Sequence, residues 1–192
     1  MSEPATNPVR VVGFGGTTAP GSSSARVLEF VLSDCARAGA DVELLDLAKL
    51  DLPFYEWGTA PTADARRLVD TMRSADALVW ASPLYHGSVS GSFKNAVDWL
   101  ELLAAEDPPY LTDKPVGLVS VAGGGHALHA ITAMQQMVHA LRGWAIPLVV
   151  PIHRAREVVG KDGAIADDRV RTQLEALARE IVRAGRRFRA DH

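Results

Sequence analysis

The stretch 82-SPLYHGSVSGSFKNAVDWL-100 follows directly on the apolar run 77-ALVWA-81 and leads into a segment with helical period. Loops between a strand and a helix are commonly short and polar. This one places Pro83, Tyr85, His86, Gly87 and Gly91 within ten residues. Such a loop is either a tight turn with incidental side chains or a surface made to hold something flat. Pro83 keeps Ser82 extended and turns the chain. Gly87 allows the backbone to approach a ligand closely. Tyr85 and His86 can cover a planar ring; the plainer alternative is a core Tyr and a surface His.

Working outward, three further runs are apolar on both faces, 11-VVGFG-15, 116-VGLVSVA-122 and 145-AIPLVV-150. Strands covered on both sides read this way in parallel sheets. The mixed run 42-VELLDL-47 fits an edge strand, and Pro147, which cannot donate to a ladder, moves its own run towards an edge. Between the runs lie helical stripes: Leu28, Val31, Leu32 and Cys35; Leu68, Met72 and Ala75; Phe93, Val97, Leu100 and Leu103; Leu128, Ile131, Met134, Val138 and Leu141; Val170, Leu174, Leu177 and Ile181. Strand and helix alternate five times, which predicts an α/β sheet wound with right-handed crossovers. The segment 51-DLPFYEWGTAPTADA-65 reads as a long loop carrying Phe54, Tyr55 and Trp57, either functional or pinned to the domain by its aromatics. The segment 160-GKDGAIADD-168 reads as a surface turn.

Composition narrows the function. The 192 residues are 47% hydrophobic and 22% charged, ordinary for a soluble globular domain. A formal net charge of −3 and a pI near 6.1 argue against a nucleic-acid binder. A single cysteine, Cys35, excludes a disulfide scaffold and any multi-cysteine metal centre, and fits a cytoplasmic enzyme. The start, 1-MSEPATNPVR-10, lacks the basic and apolar regions of a signal peptide, and no apolar run approaches the roughly 20 residues that span a bilayer.

In open parallel sheets ligands bind outside the carboxyl ends of the strands. The loop after the first strand, 15-GGTTAPGSSSARVLEF-30, has the glycine spacing of a Walker A motif, but Ser22 stands where the lysine belongs. A dinucleotide fingerprint fails as well, because Thr18 replaces its third glycine. What remains is a hydroxyl-rich loop, Thr17, Thr18, Ser22, Ser23 and Ser24, opening a helix. Hydroxyls and free N–H groups at a positive helix end suit a phosphate monoester; an N-cap by Ser22 or Ser23 is the alternative. After the fourth strand, 120-SVAGGGHALH-129 places three glycines before a helix, suited to lying flush against a flat ligand or to a turn with positive φ. A hydroxyl loop, an aromatic turn and a Gly-rich turn after strands one, three and four fit a flavodoxin-like order, in which flavin sits at the switch point.

Here the chain resembles the NADPH-dependent FMN reductases of the flavodoxin-like superfamily. The opening stretch is similar to their S-P-x-Y-[NH]-G-S-x-x-G-x-[LF]-K-N-A-x-D-W motif almost throughout, and 16-GTTAPGSSS-24 and 120-SVAGGG-125 fall where the family has its phosphate and pyrimidine loops. The resemblance covers roughly residues 9 to 151 and is nearest to the reductases that supply reduced flavin to two-component monooxygenases. It implies a single flavodoxin-like domain over residues 1–192, a three-layer sandwich of a five-stranded parallel sheet with helices on both faces. It implies a homodimer or homotetramer with FMN in each subunit, paired through 92-SFKNAVDWLELL-103. Thr17, Thr18, Ser22 and Ser24 would hold the phosphate. Pro83, Leu84, Tyr85, His86, Gly87 and Ser88 would line the isoalloxazine ring, with Ser120, Gly123, Gly124 and Gly125 on its other side. One departure stands out. The family's first loop reads G-S-x-R-x-x-S-x-N, and here Ala19 replaces the arginine and Ser24 the asparagine, which puts tight FMN retention in question. Arg26 on the following helix is a candidate substitute, or a solvated helix residue.

The reaction implied is hydride transfer from NAD(P)H to FMN, and it needs no protein acid–base triad, because the cofactor carries the chemistry. No residue is therefore expected to be catalytic in its own right. A hydrolase elbow is absent, since Val89 occupies the centre of 87-GSVSG-91. His86, His126, His129, His139 and His153 are too scattered to predict a metal site. No isolated arginine pair marks a 2′-phosphate pocket, so the sequence leaves NADH and NADPH open. Two other readings share the fold: an FMN-dependent dehydrogenase of a biosynthetic intermediate, and a non-enzymatic electron carrier, which would ordinarily be more acidic.

Overall fold

The computed structural model describes residues 7–190. Five strands form one all-parallel sheet in the order β2-β1-β3-β4-β5, where β1 is Arg10–Gly15, β2 Asp41–Asp46, β3 Ala77–Pro83, β4 Pro115–Val121 and β5 Trp144–Ile152. This is the flavodoxin-like order anticipated above. Burial explains the apolar runs: the interior strands β3 and β4 are buried at every position, and the switch point of this order lies between β1 and β3.

The helices are α1 (Ser23–Arg37), α2 (Ala63–Ser74), α3 (Gly91–Asp98), α4 (Leu128–Ala140), the single turn α5 (Ala155–Val158) and α6 (Asp168–Ala190). Hydroxyl caps start three of them. Ser22 Oγ accepts from Ala25 N–H, Thr62 Oγ1 from Ala65 N–H and Ser90 Oγ from Phe93 N–H, each at 3.2 Å. One side of the sheet is covered by α2, α3 and α4 over an aromatic core, in which Phe14 packs on Phe93 at 4.9 Å and on Trp80 at 5.9 Å. The other side is covered by α1, α5 and α6 over an aliphatic core of Val27, Leu28, Val119, Ile152, Ala155 and Leu177.

Both sheet edges are irregular or charged. The mixed run forms edge strand β2, whose Asp41 and Glu43 pair with Arg10 of β1. At the other edge, the register between β4 and β5 slips between Val116 and Leu118, at the segment holding Pro147. Two expectations change. Phe93, Val97, Trp99 and Leu100 are not a broad face left for a partner: all four are buried in the chain's own core, because the 3-10 turn Trp99–Leu103 folds the stripe back under α2. Leu128 is exposed, since it opens α4 at the sheet's rim.

Candidate functional site

The loops after β1, β3 and β4 meet above the carboxyl edge of the sheet. They enclose a cavity of about 280 Å³ lined by residues of all three and by the start of α5. A larger hollow of about 590 Å³ lies along α6 between Ala38 and Arg187, at the opposite edge of the sheet. It collects arginine stems and no strand-end loop, so the smaller cavity is where the fold offers chemistry.

At one end of the cavity is the hydroxyl loop. Gly15 N-terminal to it sits at φ +140°, and Gly16 N–H donates to Ala81 O at 3.1 Å, which ties the loop's root to β3. Thr17 and Ser24 are buried, Thr17 Oγ1 accepts from Ala19 N–H at 3.0 Å, and Ser22 Oγ lies 3.2 Å from Ser24 Oγ. The cap is therefore Ser22 rather than Ser23. Ser22 Oγ takes the amide of Ala25 and Ser22 O that of Arg26 at 3.0 Å. The amides of Ser23 and Ser24, the first two of the helix, have no intrahelical acceptor and carry the positive end of its dipole. Thr17, Ser22, Ser23 and Ser24 line the cavity; Thr18 is exposed outside it.

The other end is the aromatic turn. Tyr85 and Ser88 exchange backbone hydrogen bonds at 2.9 and 3.0 Å around His86 at φ 48° and Gly87 at φ 85°. Positive φ at both central residues is the type I′ hairpin turn. Gly87 is thus required by the turn itself, and a Cβ there would meet nothing within 4 Å. Ser82 supports the turn from below, its Oγ accepting from Ser90 N–H at 3.1 Å. Pro83, Leu84 and Tyr85 line the cavity, with Tyr85 54% exposed, while His86, Gly87 and Ser88 form the exposed tip beside it.

Across from the turn, Gly123 lines the cavity with Val121 and Ala122, and Gly124 and Gly125 continue along the rim. Cβ atoms at all three glycines would project into open space. Ser120 is different: it is fully buried, and its hydroxyl donates to Ala127 O. Its side chain closes the loop onto the start of α4 instead of facing the cavity. His126 and His129 stack at 5.4 Å just beyond.

The second half of the opening stretch has a role that its spacing did not reveal. Asn95 Oδ1 accepts from Tyr55 N–H at 2.8 Å, Asn95 Nδ2 donates to Pro53 O at 3.0 Å, and Trp99 Nε1 donates to the same carbonyl at 3.0 Å. Tyr55 packs edge-on against Trp99 at 5.3 Å. The long loop is pinned at residues 53–55, while Phe54 and Trp57 stay 89% and 80% exposed. The burial of Tyr55 raises its phenol pKa, aided by Glu101 and Asp98.

The family profile described as NADPH-dependent FMN reductase matches residues 9–157. The chain belongs to this family. An FMN-dependent NADPH-azoreductase of Staphylococcus haemolyticus is 29% identical over 167 residues, 84% of this chain and 86% of the relative. Among solved structures, an oxidoreductase of Corynebacterium diphtheriae superposes with a TM-score of 0.73 at 20% identity, covering 93% of this chain and 97% of the other. An archaeal flavodoxin superposes at 0.65 with 9% identity, covering 93% and 99%; likenesses this distant establish the fold. The protein is an NAD(P)H-dependent flavin oxidoreductase with FMN as its cofactor.

The residues present fit that cofactor. A phosphate monoester finds two free amides and the hydroxyls of Thr17, Ser22 and Ser24 at one end of the cavity. A planar ring finds backbone without side chains at Gly123 and an aromatic wall at Tyr85. Ala155 and Arg156 also line the cavity and were not anticipated, because they lie beyond the stretch of resemblance in an element too short to show helical period. Cys35 lies away from the cavity, on the face of α1 that packs against α6, and burial pushes its thiol up to about 12. Among the described residues, no group of His, Cys, Asp and Glu is placed to hold a metal ion, and no helix is long and apolar enough to cross a membrane.

Proposed function

We propose that this cavity seats FMN with its phosphate against Thr17, Ser22, Ser24 and the amides of Ser23 and Ser24, and its ring between the Pro83–Ser88 turn and Gly123–Gly125. The bound flavin supplies the hydride chemistry, taking reducing equivalents from NAD(P)H and delivering them to an acceptor. The chain's own work is placement. The α1 amides and dipole orient the phosphate and fix the cofactor along the sheet edge. Tyr85 covers part of the ring and excludes water from it. The exposed tip, His86 to Ser88, borders the side where a second planar molecule can stack in turn. The observation that carries the reading is the convergence of three strand-end loops on one cavity, each with chemistry suited to one part of the cofactor.

The acceptor class we favour is a small planar electrophile, a quinone-like or azo compound, or free flavin passed to a flavin-dependent monooxygenase. The azoreductase relative and the open ring side support it. We propose a homodimer or homotetramer acting in the cytoplasm. Exposed Phe54 and Trp57, and Leu102 at 37% exposure on the 3-10 turn after α3, offer apolar side chains to a second copy. NAD(P)H oxidation with FMN, FAD, a quinone and an azo dye tests the activity. Calorimetry with FMN and riboflavin tests the seat: FMN is expected to bind more tightly, and equal or tighter riboflavin binding sinks the phosphate assignment.

A further inference from the structure

Amides and hydroxyls hold a phosphate dianion through charge-assisted hydrogen bonds but do not neutralise it; a guanidinium adds a countercharge and two parallel donors. The loop from Gly16 to Ser24 contains no cation. A carboxylate, Asp46, even lies behind it, with Oδ1 3.3 Å from where a Cβ of Gly16 would stand. Among the residues that line the cavity, one carries a charge, Arg156.

Its position is set by the backbone. After β5 the chain turns at Arg154, which takes the left-handed conformation at φ 50°, ψ 48°. Ala155 N–H then donates to Ala122 O at 2.9 Å, and the Ala155 side chain is buried. That anchor fixes α5 beside the end of β4, on the side of the sheet that α1 also covers. Arg156, the next residue, thus shares the cavity with Thr17, Ala19 and Ser22–Ser24. Arg154 is engaged by Glu157 at 3.6 Å, whereas Arg156 has no hydrogen bond or ion pair among the described residues. Arg26 lies against Gly21 and is absent from the cavity wall.

Resting on the FMN reading, we infer that Arg156 is the cationic partner of the cofactor's phosphate, a binding residue delivered by α5 across the cavity instead of by the loop after β1. Ala19, on the same cavity wall, places no side chain beyond its Cβ there. Because Arg156 stands on an exposed single turn outside the hydroxyl loop, it adds affinity without enclosing the phosphate.

Flavin fluorescence titrations of the apoprotein decide the matter. Arg156→Ala is expected to raise the Kd for FMN by about 10- to 100-fold while changing that for riboflavin less than about 2-fold. Arg156→Ala combined with Ala19→Arg should regain FMN affinity, since a cation returns to the same cavity. Arg154→Ala and Arg26→Ala should leave both affinities unchanged. The inference is overturned if Arg156→Ala leaves FMN binding intact, weakens riboflavin equally, or if Arg26→Ala gives the phosphate-selective loss instead. An unaltered protein that binds FMN and riboflavin equally overturns the phosphate assignment itself, and this inference with it.

Discussion

At the end of the cavity proposed for the phosphate, Thr17 and Ser24 are buried, Ser22 caps a helix, and Gly16 is bonded back to β3. At the end proposed for the ring, Tyr85, His86, Gly87, Ser88 and Gly123–Gly125 are all exposed, and the glycines face open space. One end is shaped by the fold before any ligand arrives; the other is a turn and a rim with one side open. The difference follows from the reaction class. A phosphate must be held in one way, and a preorganised grip avoids ordering costs on binding. A ring that exchanges electrons with two successive partners needs one face uncovered.

The comparison can be broken most forcefully at Gly15. A Cβ there would run into Ala81 O at a φ of +140°, so Gly15→Ala should destabilise the apoprotein by about 3 kcal/mol or more in urea unfolding. Mild tolerance would mean that the root of the hydroxyl loop is not rigid. Next in size, Ser22→Ala removes the cap of α1 and should cost about 1 kcal/mol of apo stability. It should also weaken FMN while sparing riboflavin, which calorimetry reads directly. Of similar magnitude, Gly87→Ala should cost about 1 kcal/mol through strain in the type I′ turn, although its Cβ touches nothing. Thermal melting without flavin checks this, and an unchanged melting temperature would show that the turn adapts. The smallest effect on stability belongs to Gly123→Ala, within about 0.5 kcal/mol of the parent. That variant should weaken FMN and riboflavin by the same factor; a loss confined to FMN would place the phosphate at the wrong end.

The sheet was legible in the sequence because buried parallel strands leave continuous apolar runs, and Pro147 correctly marked its strand as an edge. The three loops were legible because their residue types are costly elsewhere in a fold. Other features depend on distant partners and leave no periodic trace. Asn95 and Trp99 look like parts of a helical stripe until the Pro53 carbonyl is placed beside them. Ser120 resembles a cavity residue until Ala127 O claims its hydroxyl. Arg156 comes two residues after Arg154, whose left-handed conformation no local pattern in 153-HRARE-157 announces. The Phe93–Leu103 stripe continues past α3 into a 3-10 turn, and Phe93, Trp99, Leu100 and Leu103 are buried in the chain's own core.

The two margins of the sheet have a consequence for self-association. An open parallel sheet ends in unpaired amides and carbonyls that can template another chain's strand. On β2, Asp41 and Glu43 sit at alternate positions and are drawn to Arg10, so a stacked copy would bring like charges together. On β5, the register slip around Pro147 interrupts the straight run of donors that such a copy would require. Sheet-to-sheet growth is disfavoured at both margins, so higher-order assembly of this chain is expected to proceed through helices and loops, and concentrated protein to stay free of strand-mediated fibrils.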